Sequence, residues 1–352
     1  MHGLWEDLSH ISSALRPLFP VLRDSTLFIT GGTGFFGKWI LETIIWLNKT
    51  EETSISAIVL SRDPDRFLRR YPRFDEGSIQ YVRGDVRSFA NSPSSVKIDY
   101  IIHAATDVKT IGSTKDELDL LDVCFGGTRR VLEYARETGA QRVLLTSSGA
   151  VYGRQPPGTE RMTESHQGGP DPLSKSSAYG EGKRLSELLC CLYDSTHGIH
   201  CTIARCFALA GPYLPLDVGL AFGNFVSDIL KDRPIVIEGD GRPYRSYLYA
   251  SDLMIWLFTI LLRGKRRVAY NVGSSDAISI KELAETFCSI AGHRARFVVR
   301  QTPQRRQQHQ RYVPSVEKAL AELGLRQHVF LEEAIRKTLL WYRRHTEEDI
   351  IG

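Results

Sequence analysis

The chain has 352 residues and sets 45 lysines and arginines against 41 aspartates and glutamates, so its formal charge of +4 is too small for its length to mark a nucleic-acid binder. Hydrophobic residues at 42% and charged residues at 24% match a packed globular protein and exclude a disordered or fibrous chain. The length exceeds what one small core needs and fits one large or two modest domains.

Leu4, Leu8, Ile11 and Leu15 recur at helical spacing, which predicts an amphipathic helix within an N-terminal extension over residues 1–24. From Ser25 short β-branched runs alternate with helical segments, the pattern of βαβ units and a parallel sheet. The predicted strands are Thr26–Thr30, Ile55–Ser61, Ile79–Arg83, Tyr100–His103, Arg142–Thr146, His200–Arg205 and Ala269–Val272, with helices over Lys38–Leu47, Leu118–Glu137 and Ser177–Tyr193. None of these strands alternates strictly, as expected when both faces are covered. The fold class is therefore α/β, a doubly wound parallel sheet of the Rossmann type.

After Arg205 the pattern breaks at Gly211-Pro212-Tyr213-Leu214-Pro215, and a helix follows near Phe222–Leu230. Sheet-like sequence returns at Tyr270–Gly273 and departs through a helix starting near Ser279. The expected division is a dinucleotide-binding domain over 25–205, with 246–274 returning to it, and a smaller discontinuous substrate-binding lobe from 206–245 and 275–352. The longest apolar stretch, Leu253–Leu262, is about half of what a bilayer-spanning helix needs, so it reads as a buried helix and no membrane partner is expected. No export signal opens the chain, and the cytoplasm is the expected compartment. Cys124, Cys190, Cys191, Cys201, Cys206 and Cys288 show no C-x-x-C pair and no zinc spacing with histidine, so they read as core thiols with no metal site.

Thr30-Gly31-Gly32-Thr33-Gly34-Phe35-Phe36-Gly37 follows the first strand and opens the first long helix. Glycines there permit a tight turn and close backbone approach to a pyrophosphate, while the helix N-terminus faces the negative charge. At the end of the second strand, where a carboxylate would take the ribose hydroxyls of NAD, the sequence has Ser61-Arg62-Asp63. A hydroxyl followed by a guanidinium suits a 2′-phosphate, so NADP is favoured, with NAD the alternative. Tyr179 and Lys183 lie one helical turn apart on one face, so the ammonium is expected to favour the phenolate. Ser148, after the fifth strand, is positioned to steady a reacting oxygen.

These pieces, with Gly84-Asp85-Val86, His103-Ala104-Ala105-Thr106, Val151-Tyr152-Gly153 and Arg245-Ser246-Tyr247-Leu248-Tyr249-Ala250-Ser251-Asp252, resemble the extended short-chain dehydrogenases/reductases of the NAD(P)-dependent epimerase/dehydratase group. The resemblance covers nearly everything after residue 24. It implies that Asp85 and Val86 contact the adenine, that Ala104, Ala105 and Thr106 line the cofactor, that Arg245 and Arg311 bind a substrate diphosphate, and that Ser148, Tyr179 and Lys183 are catalytic. It also implies a nucleotide-diphosphate sugar as substrate, and a homodimer formed through the helices Leu118–Glu137 and Ser177–Tyr193.

Three positions depart from the family pattern. Gly149 and Ala150 stand where dehydratases carry an acidic pair and decarboxylases a nearby glutamate, and neither can move a proton. Ala208 replaces a phosphate-binding asparagine, for which Asn224 is the candidate substitute, and Cys124 replaces an asparagine before Gly127-Thr128. The expected activity is therefore nucleotide-sugar epimerisation at C4 through a 4-keto intermediate. The alternatives are an NADPH-dependent 4-keto sugar reductase, or a 4,6-dehydratase drawing its acids from Asp107, Glu160 or Glu164. The arginine-rich segment Arg294–Arg311 lacks a basic stripe with stacking aromatics, so no nucleic-acid partner is expected.

Overall fold

The structure is a computed structural model and describes residues 3–90, 97–106, 117–216, 218–292, 295–302 and 309–345. It opens with α1 (Trp5–Leu15) and a short α2 (Phe19–Leu22), then alternates β1 (Thr26–Thr30), α3 (Phe35–Glu51), β2 (Ser56–Ser61), α4 (Pro64–Arg70), β3 (Ile79–Arg83) and β4 (Tyr100–His103). There follow α5 (Glu117–Asp122), a π-helical turn at Val123–Gly127, α6 (Thr128–Thr138), β5 (Arg142–Ser148), α7 (Ala178–His197) and β6 (His200–Cys206). The remainder comprises β7 (Leu209–Ala210), α8 (Ala221–Leu230), β8 (Ile235–Ile237), β9 (Tyr244–Arg245), β10 (Leu248–Tyr249), α9 (Ala250–Arg263) and β11 (Val268–Val272). It ends with β12 (Ile278–Ser279), α10 (Ile280–Ala291), β13 (Phe297–Val299), β14 (Arg311–Tyr312), α11 (Glu317–Leu323) and α12 (Leu331–Arg344).

A seven-stranded sheet in the order β3-β2-β1-β4-β5-β6-β11 is parallel throughout. The strand order reverses between β1 and β4, which opens a crevice at the carboxyl ends of those strands. Both sheet faces are apolar because both are covered. Leu27 and Ile29 of β1 join a core with Trp39, Ile40 and Ile44 of α3 and with α9, whereas Phe28 joins Val131, Leu132 and Tyr134 of α6 on the other side. Helix α9 is buried at every position from Ala250 to Leu262, which accounts for its unbroken hydrophobicity. Among the described residues no helix is long and apolar enough to cross a membrane.

The N-terminal helix packs on the body of the protein. Leu8, Ile11 and Leu15 sink into the core beside α3 and α9, and Tyr249 donates a 2.8 Å hydrogen bond to Asp7. A second group of short strands lies beyond β6. In it β9 is flanked by β12 and β14, β13 pairs with β8, and β10 pairs with β7. Helix α10 starts where its sequence predicts, in a capping box in which Ser279 accepts from the Glu282 amide and Glu282 accepts from the Ser279 amide.

The helix expected over Leu118–Glu137 is interrupted. The π-helical turn Val123–Gly127 separates α5 from α6, with Gly127 against Val86 and Cys124 against Gly182 of α7. Such a bulge re-aims the helix without altering the hydrophobic spacing on either side, and bulges of this kind cluster at functional sites.

Candidate active site

The glycine turn sits at the switch point. Gly31 has φ +71°, and a Cβ there would stand 2.5 Å from the Ala104 carbonyl oxygen, so only glycine lets the end of β1 pass the end of β4. Helix α3 begins at the exposed Gly34 with no side-chain cap, so its first N–H groups and positive dipole end face the crevice beside Thr33. Phe35 and Phe36 form the first turn, with Phe35 buried, and Gly37 follows them. These residues fit the pyrophosphate of a dinucleotide.

Around the turn, Thr30 Oγ1 lies 2.7 Å from His103 Nδ1 and accepts from the Ala105 amide at 3.2 Å. Burial lowers the His103 pKa to about 3, so the ring stays neutral. At the end of β2, the buried Ser61 hydroxyl accepts from the Asp63 amide at 3.2 Å, while Arg62 is exposed. Asp63 caps α4 through the Arg66 amide and lies 3.6 Å from Arg83. Asp85 is chelated by Arg87, whose hydrogen bonds pull its pKa down to about 2, and Val86 packs beside Gly127.

Ser148 closes β5, and its hydroxyl accepts from the Ala150 amide at 3.1 Å, fixing the turn that follows. Tyr179 and Lys183 project from α7 one turn apart, with the Tyr179 phenol beside the Ser148 hydroxyl. Lys183 Nζ donates to Thr106 Oγ1 at 2.7 Å and to the Thr146 carbonyl at 2.9 Å. Burial raises the Tyr179 pKa above its ordinary value, and the Lys183 ammonium is turned to Thr106 and Thr146.

A buried polar network braces this cluster from behind. Glu187, one turn beyond Lys183, accepts from Ser147 Oγ at 2.5 Å and pairs with Arg205 at 2.6 Å. Arg205 donates to the Tyr152 hydroxyl, which donates to Asn271 Oδ1 at 2.7 Å. These partners hold β5, α7, β6 and β11 in one register behind Ser148.

From the other side β9 and β14 deliver the remaining groups. Tyr312 pairs with Arg245 and Arg311 with Tyr244 across this parallel pair, and pairing partners share a face. The Arg245 guanidinium accordingly lies 5.9 Å from the Tyr312 ring centre, and the Tyr312 hydroxyl lies 3.4 Å from Ser148 Oγ. Arg311 lies 4.5 Å over the Tyr244 ring on the opposite face and donates to the Glu160 carbonyl. The two arginines thus start from opposite faces of this strand pair. Asn224 is half-buried in the first turn of α8, and none of its hydrogen bonds joins it to Ser148 or Arg245.

Tyr312 is the group the sequence reading missed. Its signal was the alternation itself, since a strand that shows Arg311 to one face shows its neighbour to the other. The position after Ser148 is crowded, because a Cβ on Gly149 would stand 2.7 Å from Phe207 Cζ and 2.8 Å from the Tyr312 hydroxyl and would need those side chains to shift. Of the other acids considered, Glu164 accepts from the Asn271 amide at 2.8 Å, Glu160 meets Arg311 through its backbone, and Asp107 lies outside the described residues.

A model of the NAD dependent epimerase/dehydratase family matches residues 27–273. UDP-glucuronic acid decarboxylase 6 of Arabidopsis thaliana is 30% identical over 329 residues, covering 91% of each chain. UDP-glucuronic acid decarboxylase 1 of Danio rerio is 26% identical over 321 residues, covering 91% of this chain and 73% of its own. Among solved structures, the UDP-glucose 4-epimerase of Thermotoga maritima with UDP-glucose superposes with a TM-score of 0.75 at 19% identity, covering 91% of this chain and 99% of its own. The UDP-glucuronic acid 4-epimerase of Bacillus cereus, in complex with UDP-glucuronic acid and NAD, gives 0.74 at 21% with the same coverage. At those identities the likeness is one of fold, whereas the family match spans the glycine turn, Ser148, Tyr179, Lys183 and the return to β11. The chain belongs to the NAD-dependent epimerase/dehydratase family and is an enzyme of its extended short-chain dehydrogenase/reductase, nucleotide-sugar branch.

Proposed function

We propose that this enzyme is a nucleotide-sugar 4-epimerase. The observation that carries the reading is the lack of an acid at Gly149 and Ala150. The hydride-transfer set Ser148, Tyr179 and Lys183 is complete, while beside it Gly149, crowded by Phe207 and Tyr312, and Ala150 supply no carboxylate for elimination.

In this reading Tyr179 accepts the C4 hydroxyl proton and Ser148 donates a hydrogen bond to the same oxygen as it becomes a carbonyl. When bound, oxidised nicotinamide supplies the hydride acceptor and a positive charge that favours the phenolate. Lys183, braced by Thr106 and Thr146, holds the cofactor ribose. The keto sugar turns, C4 receives the hydride on its other face, and Tyr179 returns the proton, so no cofactor is consumed.

The decarboxylase names of the curated relatives favour a second reading, loss of carbon dioxide from a 4-keto uronic acid. Incubation with UDP-glucose and with UDP-glucuronic acid, without added reduced cofactor, separates these. A 4-epimer is the expected product, and a UDP-pentose with released carbon dioxide supports the second reading. Stoichiometric oxidation of NADPH by a 4-keto sugar nucleotide would make the enzyme a reductase. A 4-keto-6-deoxy product would make it a 4,6-dehydratase.

For the cofactor we favour NADP over NAD. Asp63 is committed to capping α4, which removes the acid nearest to a ribose-binding role and leaves Arg62 at the strand end. Titration with both dinucleotides tests this, and tighter binding of NAD would reverse the preference.

The diphosphate is assigned to Arg245, on the face shared with Tyr312. Arg245→Ala is expected to raise KM roughly tenfold or more with a smaller change in kcat, while Arg311→Ala changes KM by less than about threefold. Equal effects from the two variants would restore the paired role.

We also propose a homodimer. Leu185, Leu188 and Leu192 form an exposed stripe on α7, and the exposed Leu118 and Phe125 extend it across α5 and the π-helical turn. Light scattering should give twice the chain mass, and a monomer would contradict this.

A further inference from the structure

The family's hydride chemistry needs the Ser148 hydroxyl to point its single proton at the reacting oxygen. A serine hydroxyl has one O–H and two acceptor sites, and it rotates to suit its neighbours. One acceptor site takes the Ala150 amide at 3.1 Å. The Tyr312 hydroxyl lies 3.4 Å from the same oxygen, a long contact in which either hydroxyl could donate.

Tyr312 is held for this contact from three sides. Its ring packs against Phe207 with centres 4.6 Å apart, the Arg245 guanidinium lies 5.9 Å from the ring centre, and Gly149, with no Cβ to take the space, backs its hydroxyl. Either hydroxyl could donate in this contact, and once the serine proton is turned to a substrate oxygen the phenol is the donor that remains. Burial raises the Tyr312 pKa to about 12, so the phenol keeps that proton at neutral pH.

We propose that Tyr312 is a positioning residue for Ser148: by donating to the second acceptor site of the Ser148 hydroxyl, it leaves the serine proton one direction, toward Tyr179 and the oxygen of the reacting carbon. The missing side chain at Gly149 is what admits the phenol to this place. Tyr312 therefore acts through Ser148, and its contribution vanishes when the serine hydroxyl is absent. The proposal requires hydride transfer from a sugar carbinol, which the family's activities share, and does not depend on the product being the 4-epimer.

The test is a double-mutant cycle on single-turnover reduction of whichever dinucleotide the enzyme binds more tightly, read at 340 nm, with whichever of UDP-glucose and UDP-glucuronic acid the unmodified enzyme oxidises. Tyr312→Phe removes one oxygen and keeps the ring on Phe207. It is expected to slow the step roughly tenfold with KM changed less than about twofold, the size of one lost orienting hydrogen bond. In the Ser148→Ala background the same substitution should change the rate by less than about twofold. An equal slowing in both backgrounds, or no slowing in the unmodified one, overturns the proposal. Should neither sugar be oxidised by the unmodified enzyme, the substrate reading fails and Tyr312 is judged on structure alone. Crystals of the dinucleotide complex of Tyr312→Phe should then show the Ser148 hydroxyl in more than one rotamer, and a single unchanged rotamer contradicts the role.

Discussion

Tyr179→Phe is expected to lower kcat by about 10³-fold or more while leaving dinucleotide affinity within about threefold, because a positioned acid/base contributes roughly 10²–10⁴-fold and Ser148, which meets the same oxygen, only donates to it. Tyr179 is half-buried, and the buried thiols Cys124 and Cys206 cannot replace it at neutral pH, since burial raises both thiol pKa values. Lys183 keeps its bonds to Thr106 and Thr146 in the variant, so the ribose contact survives. A titration of cofactor binding alongside turnover checks both halves. A variant that keeps more than about a tenth of its activity would take the proton transfer away from Tyr179.

Gly31→Ala should have the second largest effect. A left-handed backbone costs a non-glycine residue about 1–2 kcal/mol. The added Cβ would also stand 2.5 Å from the Ala104 carbonyl oxygen, and that atom is backbone, so the turn itself must shift. Overpacking of this kind adds about 1–3 kcal/mol, so a loss on the order of 3 kcal/mol, or roughly 10²-fold in dinucleotide affinity, is expected. Gly139→Ala is the matched control. Gly139 also has a positive φ, at +68°, at the end of α6, but a Cβ there meets nothing within 4 Å. It should lower the melting temperature while leaving cofactor affinity unchanged, and a similar loss of affinity in both variants would show that strain alone accounts for the effect.

Much of this arrangement was legible because it rests on local chemistry. The main-sheet strands were readable since a strand covered on both faces is apolar along its length, as β1 is with Leu27, Phe28 and Ile29 in two different cores. The glycine turn was readable because its residues are consecutive. The lack of an acid at Gly149 was readable too, though its surroundings were not: Phe207 and Tyr312 come from distant parts of the chain to crowd that position. The π-helical turn at Val123–Gly127 escaped because the hydrophobic spacing runs on past it. The register of Arg245 and Arg311 was not legible, since the sequence does not say which residues of neighbouring strands pair, and here each arginine pairs with a tyrosine. The partners of Lys183 were hidden for the same reason, because Thr106 and Thr146 reach it from the ends of other strands.

The central claim is that C4 of a nucleotide sugar gives up a hydride and receives it back on its other face beside Tyr179. It is tested most directly with UDP-glucose and UDP-glucuronic acid carrying deuterium at C4, by following the label in the product. The account predicts a 4-epimer that retains the deuterium at C4 with none released to water. Label lost to solvent, or found at C4 with unchanged configuration, would contradict it.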